Sequence, residues 1–276
     1  MRPADATLLA DYLHGKQTCR QLAAKHHCSS RTIRRRLARL PLPSSRATAL
    51  PGSAVALLDT SYFGREFGVL VLKDAATGTN LLAGFVDCEK NAFYKEALNV
   101  LETHGCRVLA AVCDGRKGLP ETLGARPVQL CQFHQIATVR RLLTRKPKLP
   151  AARQLWRLTR LLPRLKEAAF TSALAHWHAR WVAFLNERSA YSGTRRSRYS
   201  HPRLRSAFLS LNRNLPRLFI CLRFPRLEIP NTTNLIDGSF SELKNKLRNH
   251  NGLSKEQKKK LILHLLSPAI IHCFVH

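Results

Sequence analysis

Between Ser53 and Gly115 the chain runs through three short apolar stretches, one amphipathic stretch and a fourth apolar stretch, an order that narrows the fold more than any other feature. "SAVALLDTSYF" (53–63), "EFGVLVLKD" (66–74) and "TNLLAGFVD" (79–87) are rich in Val, Leu and Phe, and the turn "AATG" separates the last two. Short apolar runs bounded by turn residues read as buried strands. "NAFYKEALNVLETHG" (91–105) has helical periodicity and stops at Gly105. "CRVLAAVCDG" (106–115) is then a fourth strand and "RPVQLCQFH" (126–134) a short fifth. The order β-β-β-α-β-(α)-β predicts an α/β (α+β mixed) sheet with helices packed on it.

The segment before this sheet has a different character. "ADATLLADYLHGK", "TCRQLAAKHHC" and "SSRTIRRRLARL" predict three short helices, closed or capped by Gly15, Thr18 and Ser29 or Ser30. In the third, Ile33, Leu37 and Leu40 share one face, while Arg31, Arg34, Arg35 and Arg36 occupy the rest. A helix pair that presents a basic third helix is a helix-turn-helix arrangement, suited to the DNA major groove. A solvated charged face is the plainer alternative. Residues 1–40 are therefore expected to form a DNA-binding domain. "LPLPSSRATALPGS" reads as a linker, taken over 41–52.

Charge defines the third region. The chain carries 46 Lys+Arg against 17 Asp+Glu, a net charge of +29, which favours a polyanionic partner. From Thr138 to Arg217 there are 19 Lys+Arg and only two acids, Glu167 and Glu187. A one-sign block of this length reads as a track for phosphates, and its Trp and Leu content argues for packed helices over a disordered linker. In "ARQLWRLTRLLPRLK" (152–166), Arg153, Arg157, Arg160 and Arg164 recur opposite Leu155, Leu158, Leu162 and Leu165, predicting one helix with a positive face. Trp156, Trp177 and Trp181 are expected in the helix core, with stacking on bases as the alternative. Helices are predicted again from about Asn234, stopping at 249–252, and over "SKEQKKKLILHLL"; Lys255, Lys258, Lys259 and Lys260 of the last would contact phosphates or solvent. No apolar run approaches the roughly 18 residues of a spanning helix, and no signal-peptide core opens the chain. An intracellular protein with its eight cysteines reduced is expected, with no CxxC pair for a zinc ribbon.

Acids stand at two strand ends: Asp59 in "ALLDTSYF" and Asp114 in "LAAVCDG". Three meandering strands, a helix and a further strand fit a mixed sheet of the ribonuclease H type, in which strands one and four lie side by side. Two neighbouring carboxylates repel unless a cation neutralises them, and Mg²⁺, which prefers oxygen ligands and phosphate, suits the task. An Asp after a strand is often only a turn residue, but the chain has just seven Asp. Two ions about 4 Å apart serve phosphoryl transfer.

With "LLDTSYF", "VCDGRKGL", "CQFHQ" and "NTTNLIDGSFSELKNKLRNHNGLS", the chain from about Ala54 to Leu266 resembles bacterial insertion-sequence transposases of the DDE/D superfamily, in the mutator-related branch. Cys131 and His134, as Cys-x-x-His, and the Thr-Asn-x-x-acid segment with Asn234 are its most specific parts. The resemblance implies a ribonuclease H-like core over 53–136 and 229–266, interrupted by a basic, all-helical insertion over 137–228. It implies a third catalytic acid three positions after Thr-Asn, which here is Asp237, although the family usually has Glu. Glu242 has that residue type but lies about 140° away round a helix, so both cannot face one site. Asp237 is taken as the ligand, with Glu242 as the alternative third acid, otherwise paired with Lys246. Asp59, Asp114 and Asp237 would bind Mg²⁺, with Mn²⁺ possible. The implied activity is metal-dependent nicking and 3′-OH strand transfer at the ends of an insertion sequence, by a homodimer on DNA in the bacterial cytoplasm, with no membrane partner. The rivals are a decayed or domesticated transposase that only binds DNA, a transcription regulator, and a nuclease without strand transfer. The uncharged tail "SPAIIHCFVH" is what a frameshifted end would look like.

Overall fold

The computed structural model describes residues 3–13, 15, 17–41, 50–190, 197–248 and 252–274. The chain divides into two compact units, one of residues 1–108 with 235–276 and one of residues 109–234. Most of the 41–52 linker and the helix stop at 249–251 lie outside the described residues.

The first unit begins with α1 (Pro3–Leu13), α2 (Cys19–Lys25) and α3 (Ser30–Arg39). The caps fall where their side chains dictate. Thr18 Oγ1 accepts the Gln21 N–H while Gln21 Oε1 accepts the Thr18 N–H, and Ser29 Oγ accepts the Thr32 N–H at 3.1 Å. Ile33 is fully buried beside Leu8 and Leu22.

Next come β1 (Ser53–Phe63), β2 (Phe67–Asp74), β3 (Asn80–Val86), α4 (Asn91–Thr103) and β4 (Arg107–Cys113), on which the chain passes into the second unit after Val108. β1 and β2 form an antiparallel hairpin in which Asp59 faces Val71 and Phe63 faces Phe67. β2 is buried along its whole length, as the apolar run Phe67–Leu72 requires of a strand covered on both faces; its last two residues, Lys73 and Asp74, are buried with it. β3 pairs antiparallel with β2 across an irregularity at Leu72/Lys73.

The second unit continues with α5 (Leu119–Thr122), β5 (Val128–Leu130), α6 (Gln132–Leu143), α7 (Pro150–Arg160), α8 (Glu167–Asn186), β6 (Arg188–Ala190), β7 (Ser197–Tyr199), α9 (Pro202–Asn214) and α10 (Ile220–Arg223). The structure differs from the sequence-based expectation here in three places. β5 ends at Leu130, and "CQFH" opens α6 instead of extending the strand. The helix expected over 152–166 stops at Arg160, where the Leu161 N–H turns back to the Leu158 carbonyl and Pro163 can donate no further bond. Within the stretch 137–228, β6 and β7 pair antiparallel, Arg188 opposite Tyr199, so it is not helical throughout.

The chain returns to the first unit through α11 (Asn234–Arg248), then α12 (Lys255–Leu266) and β8 (Ile270–Cys273). Leu261 of α12 joins the core of the N-terminal helices, and Lys260 Nζ donates to the Ala38 carbonyl at 3.1 Å. The sheet extends past residue 266: β8 runs parallel to β3, with Leu82 opposite Ile270. Gly84 permits this approach, since a Cβ there would lie 2.5 Å from both the His272 carbonyl oxygen and the Phe274 ring. Ile270–Cys273 of the uncharged tail therefore form an edge strand, and Phe274 just after it is buried. The six strands lie in the order β5-β4-β1-β2-β3-β8, a mixed sheet in which β4 and β5 are also parallel. Among the described residues no helix is long and apolar enough to cross a membrane.

Candidate functional site

In the first unit, Asp59 is half-buried on β1, and its Oδ1 accepts the Thr60 N–H at 2.8 Å. Thr60 Oγ1 lies 2.8 Å from the Tyr94 hydroxyl, which donates to Glu89 Oε1 at 2.6 Å. Burial pushes this hydroxyl far above its ordinary range and the charges of Glu89 and Asp59 add to the shift, so Tyr94 remains a donor. The carboxylate thus sits on a strand held from α4 by a hydrogen-bonded chain.

Asp237 lies in the first turn of α11, half-buried, where the helix dipole favours negative charge. Glu242 is exposed on the same helix, with its Oε1 2.8 Å from Lys246 Nζ, the pairing expected at i, i+4. With the Glu242 side chain 67% exposed, the pair contributes little stability. In the second unit, Asp114 stands one residue past β4, half-buried, and its Oδ1 accepts the Arg116 N–H at 3.0 Å, a local turn. Among the described residues no three His, Cys, Asp or Glu side chains are grouped as a metal site would require. As donors, the three Asp carboxylates are the hard oxygen ligands that Mg²⁺ or Mn²⁺ takes.

The two motif segments about a hundred residues apart meet inside the second unit. Cys131 is buried at the start of α6, and its Sγ lies 3.3 Å from both the N–H and the hydroxyl of Thr233. The same hydroxyl is 3.3 Å from His134 Nδ1. Burial raises the Cys131 thiol, but hydrogen bonds from His134 and Thr233 outweigh it and bring the group below its ordinary value. The Gln132 N–H donates to the Asn231 carbonyl at 2.9 Å, and Asn231 Nδ2 returns a bond to Gln132 Oε1 at 3.1 Å. Cys-x-x-His therefore acts as a clasp on the segment leading to Asn234, the exposed first residue of α11. All eight cysteines are free thiols.

Three glutamines in the same stretch were not singled out from the sequence. Gln129 Nε2 donates to the Leu130 and Leu218 carbonyls at 2.7 and 2.9 Å, and Gln132 Nε2 reaches Leu218 at 2.8 Å. Gln135 Oε1 accepts from Asn214 Nδ2 at 2.7 Å. Their signal was visible: an amide at every third position of "QLCQFHQ", in an otherwise apolar run, must find partners if buried.

The basic side chains fall into two groups. On α3, Arg31, Arg34 and Arg35 are exposed, whereas Arg36 is held 2.8 Å from Asp5. In the second unit Arg153, Arg157, Arg160 and Arg164 are all exposed, and Leu155 and Leu162 are buried behind them. A groove of about 570 Å³ beside α6 is lined by His134, Arg140, Arg141 and Arg145 among others. Trp177 is buried and donates to the Ala151 carbonyl at 3.1 Å, and Trp181 donates to Gln154 Oε1 at 2.8 Å, so both serve the helix core.

No protein-family model matches the chain, and no curated protein matches it.

Proposed function

We propose that this protein is a DDE/D-type transposase with a ribonuclease H-like core. The observation that carries the reading is the strand order β5-β4-β1-β2-β3, with Asp59 on β1 and Asp114 directly after β4, in a chain of net charge +29. Strands one to three meander and strand four stands beside strand one, the order that a ribonuclease H-like sheet requires. The clasp between Cys131, His134 and Thr233 supports it, because it ties together the two segments by which the chain resembles these transposases. The three N-terminal helices, α2 and α3 capped by Thr18 and Ser29, support a helix-turn-helix with α3 as the DNA-reading element.

In this reading Asp59, Asp114 and Asp237 are the residues that would hold two Mg²⁺ or Mn²⁺ ions, which would supply activation of the attacking oxygen and stabilisation of the leaving oxygen. Backbone N–H groups of Thr60 and Arg116 orient the first two carboxylates before any DNA arrives. Arg153, Arg157 and Arg160, with the exposed Arg31, Arg34 and Arg35 of α3, hold phosphates of the element's ends, and a homodimer pairs the two ends. Glu242 stays on the surface with Lys246.

The test is nick mapping on DNA carrying the gene's own flanking sequences, with Mg²⁺ or Mn²⁺. Nicks at the ends are expected from wild type and Glu242→Gln, and a loss of at least about a hundredfold from Asp114→Asn and Asp237→Asn. Loss with Glu242→Gln and retention with Asp237→Asn would move the third ligand to Glu242. End binding by folded wild type with no nick under either metal would replace the enzyme reading by a DNA-binding protein.

A further inference from the structure

At the tip of the β1–β2 hairpin, the first unit has an open groove of about 520 Å³ lined by Tyr62, Phe63, Arg65, Lys244, Arg248 and Lys258, with Gly64, Glu66 and Leu247. Four cations line it against one acid, and that acid, Glu66, is already 3.1 Å from Lys258 Nζ. The rings are organised as well as present. Phe63 stacks on Phe67 with centroids 5.6 Å apart, and Phe67 meets Phe85 edge-on at 5.5 Å. Lys244 Nζ lies 5.9 Å from the Phe63 centroid, and Lys259 Nζ is 5.4 Å from that of Phe85. Tyr62, 38% exposed, is cross-strand partner to Gly68, whose missing side chain leaves room for the ring: a Cβ there would be 3.2 Å from Tyr62 Cε1.

We infer that this groove binds a nucleotide of single-stranded DNA, with its base against Phe63 and its phosphates on Lys244 and Arg248. Aromatic side chains interleaved with cations are the chemistry of single-strand recognition, because every base offers a π-face and every nucleotide a phosphate. A duplex, whose bases are already stacked, gains nothing from the rings. The groove is also in line with two of the proposed catalytic acids. Asp59 and Phe63 share one face of β1, about 13 Å apart along the strand. Asp237, Lys244 and Arg248 recur at i, i+7 and i+11 on one face of α11, Lys244 about 10 Å from Asp237 along the axis. A strand end lying along β1 and α11 would place its reacting phosphate and a nucleotide a step or two away on the same faces. The inference rests on the transposase reading for the identity of the polyanion.

The experiment measures binding of a short fluorescent oligothymidylate and of a blunt duplex, without metal, at several salt concentrations. Phe63→Leu is expected to weaken oligothymidylate binding about tenfold and leave duplex binding unchanged, and Phe63→Tyr to restore it. Lys244→Gln with Arg248→Gln is expected to lower the salt dependence for oligothymidylate by about 1.4 in log-log slope. Oligothymidylate binding by folded Phe63→Leu equal to wild type overturns the inference; if that variant does not fold, an unchanged salt slope in the Lys244/Arg248 pair does so. The nick assay separates the two proposals. Nicking without a Phe63 effect removes the groove and leaves the transposase, whereas a Phe63 effect without nicking keeps the groove and removes the chemistry.

Discussion

In α3 the apolar side packs into a core that also takes Leu261 of α12, and Arg36 on the other side is drawn to Asp5. In α7 the apolar side, with Leu155 and Ala152 buried, packs under Trp177 and Trp181, and among the described residues Arg153, Arg157 and Arg160 make no ion pair. Both helices show one sequence pattern, a leucine-rich stripe opposite a row of arginines. The acids around them make the difference. Asp5 stands within reach of α3, whereas the two acids of the basic block are engaged elsewhere, Glu167 with Arg223 and Glu187 with His201. Periodicity decides which side of a helix packs; the placement of scarce carboxylates decides how many cations remain for a ligand.

The largest expected effect breaks one helix and spares the other. Ile33→Ala should destabilise the first unit by about 2–4 kcal/mol in urea unfolding and speed amide exchange in α12, since the two share a core. Leu155→Ala should cost a similar amount but leave α12 exchange as in wild type; faster α12 exchange in both variants would contradict the separation. A middling effect concerns the cations. Arg153→Gln, Arg157→Gln and Arg160→Gln together should reduce the salt dependence of duplex binding by up to about 2.7 in log-log slope, equally for all sequences. Arg36→Gln, already paired, should change it by much less than one third of that. The smallest effect is on pH. Burial holds the His264 imidazole below its ordinary 6.5, with Lys260 adding to the shift against the bond to the Pro41 carbonyl. Its folded pKa is thus depressed, so below 6.5 the unfolded chain binds a proton that the folded chain refuses, and stability falls as pH drops through that range. His264→Gln should flatten this slope in thermal melts; an unchanged slope would place the acid sensitivity elsewhere.

β1 to β5 were legible to within a few residues, because an apolar run bounded by turn residues has few other uses; β6 and β7 were not, their residues being mostly polar and set in a stretch read as helical. The caps at Thr18 and Ser29 and the ion pair of Glu242 with Lys246 were legible too, being local contacts three or four residues apart. The end of α7 could have been read from Pro163, but the leucine stripe ran on through it. β8 was not legible: its few residues are neutral and short, and they become a strand only because Gly84 on β3 leaves space for His272 and Phe274. The clasp was half legible. Cys131, His134 and the Thr-Asn segment each stood out, but nothing within either segment says that Thr233 bonds both.

By itself, then, the sequence determined what depends on neighbours along the chain: the order of β1 to β3, α4 and β4, the helix caps, the positive face of α7, and acids at the ends of two apolar runs. Tertiary structure decided what depends on distant neighbours. It chose the sheet order, recruited α12 to the N-terminal helices and the tail to the sheet, engaged Arg36 while leaving the α7 arginines exposed, and set Lys244 beside Phe63. Hydrogen bonds and periodicity act over one helical turn or one strand pair, whereas burial and charge pairing depend on which far segments the folded chain brings together.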